Sequence, residues 1–125
     1  MRRFILETGM GNDLHGRDYT KAAGRAVEAA LRRSTLPIFA TLDIAHDDMD
    51  VRVTIGAQHP DRVDTAAIAR LLPRGRASVT AGHGGLDITN PESGEVTVIV
   101  TAAIEAFLPE QAGWRLTSRG ADDNA

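Results

Sequence analysis

The stretch from Glu95 to Phe107 constrains the fold of this chain more than any other. Val96, Val98, Val100, Ala102 and Ile104 alternate along one face, and Ile99 and Ala103 place apolar groups on the other. A strand that is apolar on both faces belongs in the middle of a sheet, covered on each side. The other elements arrange themselves around it. Residues 3–8 are β-rich and stop at Gly9, which reads as a first strand; Val51, Val53 and Ile55 alternate inward in a second, Val51 to Gly56, that Pro60 and Asp61 close; residues 76–80 read as a third. Leu86 to Gly94 reads as a short extended piece and a turn.

Two helices complete the pattern. Asp18 stands where an N-cap belongs, ahead of a helix running to about Arg33. Ala22, Ala23, Ala26, Val27, Ala30 and Leu31 share one face of it, so a mostly alanine surface lets it lie unusually close to a sheet. Asp64 caps a shorter helix over 65–72, which Pro73 and Gly75 terminate. The order β-α-β-α-β-β predicts an α+β fold, a single-layer mixed sheet covered by two helices. Residues 1–112 form one domain, and 113–125 form a polar tail that frays. Between Ser34 and Asp50 the period is unclear: Pro37 interrupts an apolar run, and Asp43, Asp47, Asp48 and Asp50 with His46 read as a solvated turn.

Two helices cannot dress both faces of a sheet built around so apolar a strand. A second copy of the chain is expected to cover what remains, giving a homo-oligomer. With 125 residues there is room for one ordinary domain. A net charge of −3 argues against nucleic acid as the partner. There are no cysteines, which removes disulfides, thiolate metal sites and cysteine nucleophiles. No apolar run approaches the roughly 18 residues of a membrane span, and the first residues carry no export signal, so a cytoplasmic protein is expected.

The candidate chemistry gathers in two glycine-bearing segments. Gly9 to Arg17, read as a loop between strand and helix, turns backbone N–H groups and a positive helix end toward a pocket. Leu14 breaks the dinucleotide pattern begun by Gly9 and Gly11. Arg17 and Asp18 break the phosphate-loop pattern that Gly11 and Gly16 begin, so neither dinucleotide nor nucleoside triphosphate fits. Asp13, His15, Arg17, Asp18 and Lys21 place five ionisable groups in nine residues. Lys21 is the only lysine beside thirteen arginines, which marks it for a task that a guanidinium cannot perform. Its place one turn into the helix favours a deprotonated amine, although Asp18 acts the other way. The second segment, Ala81-Gly82-His83-Gly84-Gly85, sets three glycines around a histidine at a strand end, where backbone N–H groups can hold a carbonyl or carboxylate oxygen. A tight turn with a helix cap and a bulge explain the same residues without a ligand. His15, His46, His59 and His83 lack the spacing of zinc sites, and no serine sits on a nucleophile elbow, so neither metal nor cofactor is expected.

The run Asp13-Leu-His-Gly-Arg-Asp-Tyr-Thr-Lys-Ala-Ala23 resembles the hallmark of a family of small bacterial and fungal proteins of unassigned function. Pro60 to Asp64 and Gly84 to Leu86 extend the resemblance to about Pro109. More distantly, Gly11-Asn12 followed by Asp18-Tyr19-Thr20-Lys21 is similar to the opening of the ring-opening amidohydrolases, cyanuric acid hydrolase and barbiturase. That likeness implies one unit of a threefold arrangement, similar in fold to the small trimeric chorismate mutases, with three copies or a multiple around shared pockets. Where those enzymes carry a serine before two glycines, this chain has Ala81-Gly82-His83-Gly84-Gly85, so the nucleophile is missing.

The expected function is therefore an oligomeric protein binding a small polar, cyclic or anionic molecule at subunit boundaries. Lys21 would be base or anchor, with His15 and Asp13 as acid/base or orienting groups. Gly9, Gly11, Asn12, Arg17, Gly82, His83, Gly84 and Gly85 would line the site. The alternative is a non-catalytic structural module whose glycines only shape the fold and the oligomer.

Overall fold

The computed structural model describes residues 1–33, 48–72 and 75–109. The chain runs β1 (Arg2–Asp13), α1 (Tyr19–Arg33), β2 (Asp50–Ala57), one 3-10 turn (Pro60–Arg62), α2 (Thr65–Ala69), β3 (Arg76–His83), β4 (Leu86–Thr89) and β5 (Val96–Leu108). The described residues form an α+β domain with one mixed five-stranded sheet and two helices.

β5 lies inside the sheet, in the order β1-β5-β2-β3. β1 pairs antiparallel with it from Arg2↔Leu108 to Asp13↔Val98. On its other side, β2 pairs from Asp50↔Phe107 to Gly56↔Thr101, and β4 takes over from Leu86↔Ile99 to Thr89↔Val96. β3 lies parallel to β2. The chain therefore leaves β3, crosses beyond the end of β2 through Gly84 and Gly85, and resumes beside β5. That crossing is tight: Gly85 has φ +62, and a side chain there would meet the carbonyl oxygen of Ile99 at 2.2 Å. All strands except β5 point the same way, so β1, β2 and β3 end at one end of the sheet.

One face of the sheet carries the core. Val51, Val53, Ile55 and Ala57 of β2 and Val98, Val100, Ala102, Ile104 and Ala106 of β5 are buried there against Ala22, Ala23, Ala26, Val27 and Ala30 of α1. Beneath the helix lie Gly9 and Gly11. A Cβ on Gly9 would stand 2.2 Å from the carbonyl oxygen of Ala26, and one on Gly11 would stand 2.3 Å from that of Ala22. Helix backbone thus rests almost directly on strand backbone, which requires alanine above and glycine below. Asp18 caps α1 by accepting from the Lys21 amide at 3.0 Å, and Asp64 caps α2 by accepting from Ala67 at 3.0 Å.

Several expectations change. The first strand does not stop at Gly9 but continues to Asp13, because pairing with the long β5 outweighs the poor strand propensity of two glycines. Gly9 and Gly11 are therefore strand residues, not loop residues. Leu86–Thr89 is a fourth short strand, and α2 ends at Ala69 rather than Leu72. Both helices pack on the same side, so β5 is covered on one face and half-exposed on the other within a single chain. The expectations for residues 34–47 and for the 113–125 tail lie outside the described residues. Among the described residues, no helix is long and apolar enough to cross a membrane.

Candidate functional site

At the strand ends, Asp13 organises the turn into α1. It is 5% exposed, and its Oδ2 accepts the amides of Gly16 at 3.1 Å and Asp18 at 3.0 Å. Those two bonds bracket Arg17, which is held at φ +50, the one non-glycine residue in the left-handed region among the described residues. The other oxygen faces Lys21 Nζ at 3.8 Å and Arg25 at 4.0 Å. The Asp13 carboxyl is held below the usual carboxylate range, chiefly by the Asp18 amide; burial opposes this, while Lys21, the Gly16 amide and Arg25 assist. Lys21 itself is half-exposed, and Arg25 donates to the Asn12 carbonyl at 2.7 Å. His15 points away from this cluster and pairs with Glu95 at 3.1 Å, both exposed.

The face of the sheet opposite the two helices holds a different feature. Register aligns Thr8, Ala103, Thr54 and Thr80 in one row across four strands, and Met10, Thr101, Gly56 and Gly82 in the next. Two neighbouring glycines in the second row leave a dip between taller side chains. It forms an open depression of about 670 Å³ whose walls include Thr8, Thr54, Thr101, Met10 and His83, with Gly56, Gly82 and Gly84 among the floor. Its volume falls within the range typical of small-molecule sites, roughly 300–1,000 Å³. Among the described residues, no Asp, Glu, Lys or Arg lines it. A side chain added at Gly82 would meet nothing within 4 Å, so that position opens onto the empty space. Gln58 fixes the adjoining turn by donating to the carbonyls of Gly84 and Gly85, each at 3.0 Å. Apolar side chains rim the same face, with Leu6, Met10, Leu86 and Ile88 each at least 50% exposed.

A third group has no signal in the sequence. The Tyr19 hydroxyl, under the first turn of α1, donates to Asp87 Oδ2 at 2.5 Å. His59 Nε2 stands 4.0 Å from the same oxygen, and its ring meets Tyr19 edge-on at 5.5 Å. The Tyr19 phenol is pushed up to about 12, first by burial and then by the hydrogen bond and charge of Asp87; Arg62 and Arg17 offset part of this. Asp87 Oδ1 is buried without a hydrogen-bond partner. Tyr19 sits at an apolar-facing helix position, and Asp87 lies in a four-residue strand with no periodic signal. Only the fold brings the pair together.

The expected site residues thus divide. Gly9, Gly82, His83 and Gly84 line the open-face depression, with Gly85 in the adjoining turn. Asp13, Arg17 and Lys21 gather at the N-terminus of α1 together with Asn12, whereas Gly11 lies beneath the helix and His15 lies outside both groups. Lys21 flanks β1 and Gly82 lies one residue before the end of β3, at opposite sides of the four-strand path, so one chain does not unite them. Among the described residues, no three metal-ligating side chains come together.

Residues 3–106 match the model of a family described as conserved hypothetical protein, Lin0512_fam. The chain belongs to that family. A comparison of the Lin0512_fam chain with the curated proteins gave no match. Among solved structures, the chain is similar to a crystal structure from Nostoc punctiforme PCC 73102 described as an FtsZ-like protein of unknown function. The two are 30% identical with a TM-score of 0.77, covering 87% of this chain and 97% of that one. The α1 seam, the strand-end turn and β5 as far as Ala106 fall within the family match.

Proposed function

We propose that this Lin0512_fam protein is a cytoplasmic homo-oligomer that binds a small polar, cyclic or anionic molecule in the open-face depression. The observation that carries this reading is the pair of side-by-side glycines, Gly56 and Gly82, sunk among threonines on a face that bears no helix among the described residues. Threonine hydroxyls and His83 offer hydrogen bonds to carbonyl or carboxylate oxygens. The exposed Leu6, Met10, Leu86 and Ile88 around it are the surface that a second copy would cover. That copy would also supply the charged groups the depression lacks, with Lys21 as anchor or base and Asp13 as its orienting carboxylate. The distant likeness to ring-opening amidohydrolases fits a cyclic amide ligand, but Ala81 stands where their serine would be, so binding is favoured over hydrolysis.

A thermal-shift screen of cyclic imides, ureides and small carboxylates tests the reading, since binding to the native state raises Tm. The expected result is a concentration-dependent rise that Gly82→Leu abolishes. Lys21→Arg should weaken the same ligand by more than about tenfold, because an extended guanidinium cannot replace a compact ammonium in a closed site. Light scattering should give a multiple of the 13.4 kDa chain mass. A monomer whose Tm no compound moves overturns the proposal. The second reading, a structural module, is favoured by one observation: Gly9, Gly11 and Asp13 each have a packing or capping task that explains them without a ligand.

A further inference from the structure

We infer that a second copy of this chain seats face to face on the open side of the sheet, related by a two-fold axis that runs along the strands between β5 and β2. β1 of each copy then lies over β3 of the other, and the partner's Met10 roofs the dip at Gly56 and Gly82. The inference rests on the homo-oligomer proposed above and says which way round the copies sit. Met10, Thr101, Gly56 and Gly82 form one row across the face. At its β1 end Met10 projects, 65% exposed; at its β3 end a side chain on Gly82 would meet nothing within 4 Å. Knob and hole stand at opposite ends of the row, so a half-turn about its midpoint sets each knob over the other copy's hole. Facing sheets in aligned sandwiches interdigitate their side chains in this way. The depression holds about 670 Å³, far more than one methionine side chain, so the roof closes it without filling it.

The other rows agree with this half-turn. It lays Leu86, 55% exposed, over the half-exposed Ile99 of the other copy, and Glu105 over Arg52. Among the described residues Arg52 has no carboxylate of its own, its guanidinium resting over the Phe107 ring at 4.3 Å. Arg3 falls over Arg76, but each is already neutralised, by Glu105 at 3.1 Å and by Asp50 at 2.9 Å. Laying the faces together with the strands reversed would instead put Arg52 over Gly56 and Glu105 over Thr101, burying charge against uncharged surface, which is costly. The half-turn also carries the partner's β1 edge, which Lys21 flanks, to the side of Gly82 and His83, across the gap that one chain does not bridge.

The test exchanges knob and hole in the full chain, with the dimer Kd read by sedimentation equilibrium. Met10→Ala removes the knob and Gly82→Met raises a second one where the hole was, and each should weaken the dimer at least about tenfold. The double variant carries its knob on β3 and its hole on β1, and should return to within about threefold of the parent. Within one chain the two positions are three strand spacings, about 14 Å, apart, so such recovery passes only between copies. Isotope-filtered NMR on an equal mixture of two differently labelled preparations of the parent should also show the Met10 methyl of one copy against the Gly82 amide of the other. A parent that stays monomeric, a double variant as weak as the weaker single one, or the absence of that Met10–Gly82 contact overturns the arrangement. If a compound still raises the parent's Tm in any of these cases, the depression remains a binding site and only the partner's place over it is lost; if association and the Tm rise both fail, both proposals fall.

Discussion

Asp13 and Asp87 flank the same residue: Asp13 pairs with Val98 from β1 and Asp87 pairs with Val98 from β4, so two carboxylates on one face of the sheet straddle the central strand beneath the start of α1. Each ties that helix end down, Asp13 through the amides of Gly16 and Asp18, Asp87 through the Tyr19 hydroxyl. The polar end of the molecule is thus fastened at two points about 9–10 Å apart, twice the spacing of neighbouring strands.

Loss of the first fastening should be costly. Asp13→Ala leaves two amides without an acceptor and should destabilise the fold by about 2 kcal/mol, measured by urea unfolding. Because the folded carboxyl titrates below its ordinary value of 3.8, its stabilisation is complete above that value and fades as pH falls through the lower folded one. The gap between parent and Asp13→Ala should therefore shrink in acid below about pH 3.8 and stay constant at neutral pH. A gap that does not depend on pH would mean that the carboxylate charge is not what matters.

The second fastening can be followed optically, since Tyr19 is the only tyrosine. Absorbance should show its phenol ionising near 12 rather than 10, and Asp87→Asn should bring it down. The folded value is the raised one, so this contribution is complete below pH 10 and disappears as pH rises through about 12. Ionisation at the ordinary value would show that Tyr19 is not buried against Asp87.

Glycines separate by what lies opposite them. Gly9→Ala and Gly11→Ala drive a methyl into helix backbone, which cannot move aside as a side chain does, and each should cost about 3 kcal/mol or more. Gly82→Ala enters empty space and should change stability by less than about 1 kcal/mol. Chemical denaturation of the three variants would decide; equal losses would contradict the helix–strand seam.

Arg17 carries backbone strain that glycine does not. Arg17→Gly should raise stability by about 1 kcal/mol, read as a higher denaturation midpoint. A lower midpoint would show that the arginine side chain contributes more to the fold than its conformation costs.

How legible was this in the sequence? The alternation in β2 and β5, the alanine face of α1 and the aspartate caps were all readable, because each is a local pattern with a local cause. The length of β1 was not. Gly9 and Gly11 look like loop residues until the partner strand and the helix above them are known, since both reasons for glycine there are tertiary. The single lysine stands out by composition, but its neighbour Asp13 has a structural task that spacing alone does not reveal. Thr54, Thr101 and Gly82 come from three strands, and Tyr19, His59 and Asp87 from three segments. Such meetings are set by register and crossover, which no one-dimensional period encodes.

The glycine seam gives this architecture a direction of drift. Nothing smaller than a hydrogen can replace what lies under α1, so any exchange at Gly9 or Gly11 lifts the helix and none lowers it. Asp18 and Tyr19 ride at the front of that helix, and Thr20 bonds across to the Pro60–Arg62 turn. A single methyl slipped beneath the middle of the helix would therefore reach chemistry two turns away, shifting Tyr19 off Asp87 before any polar residue had been altered.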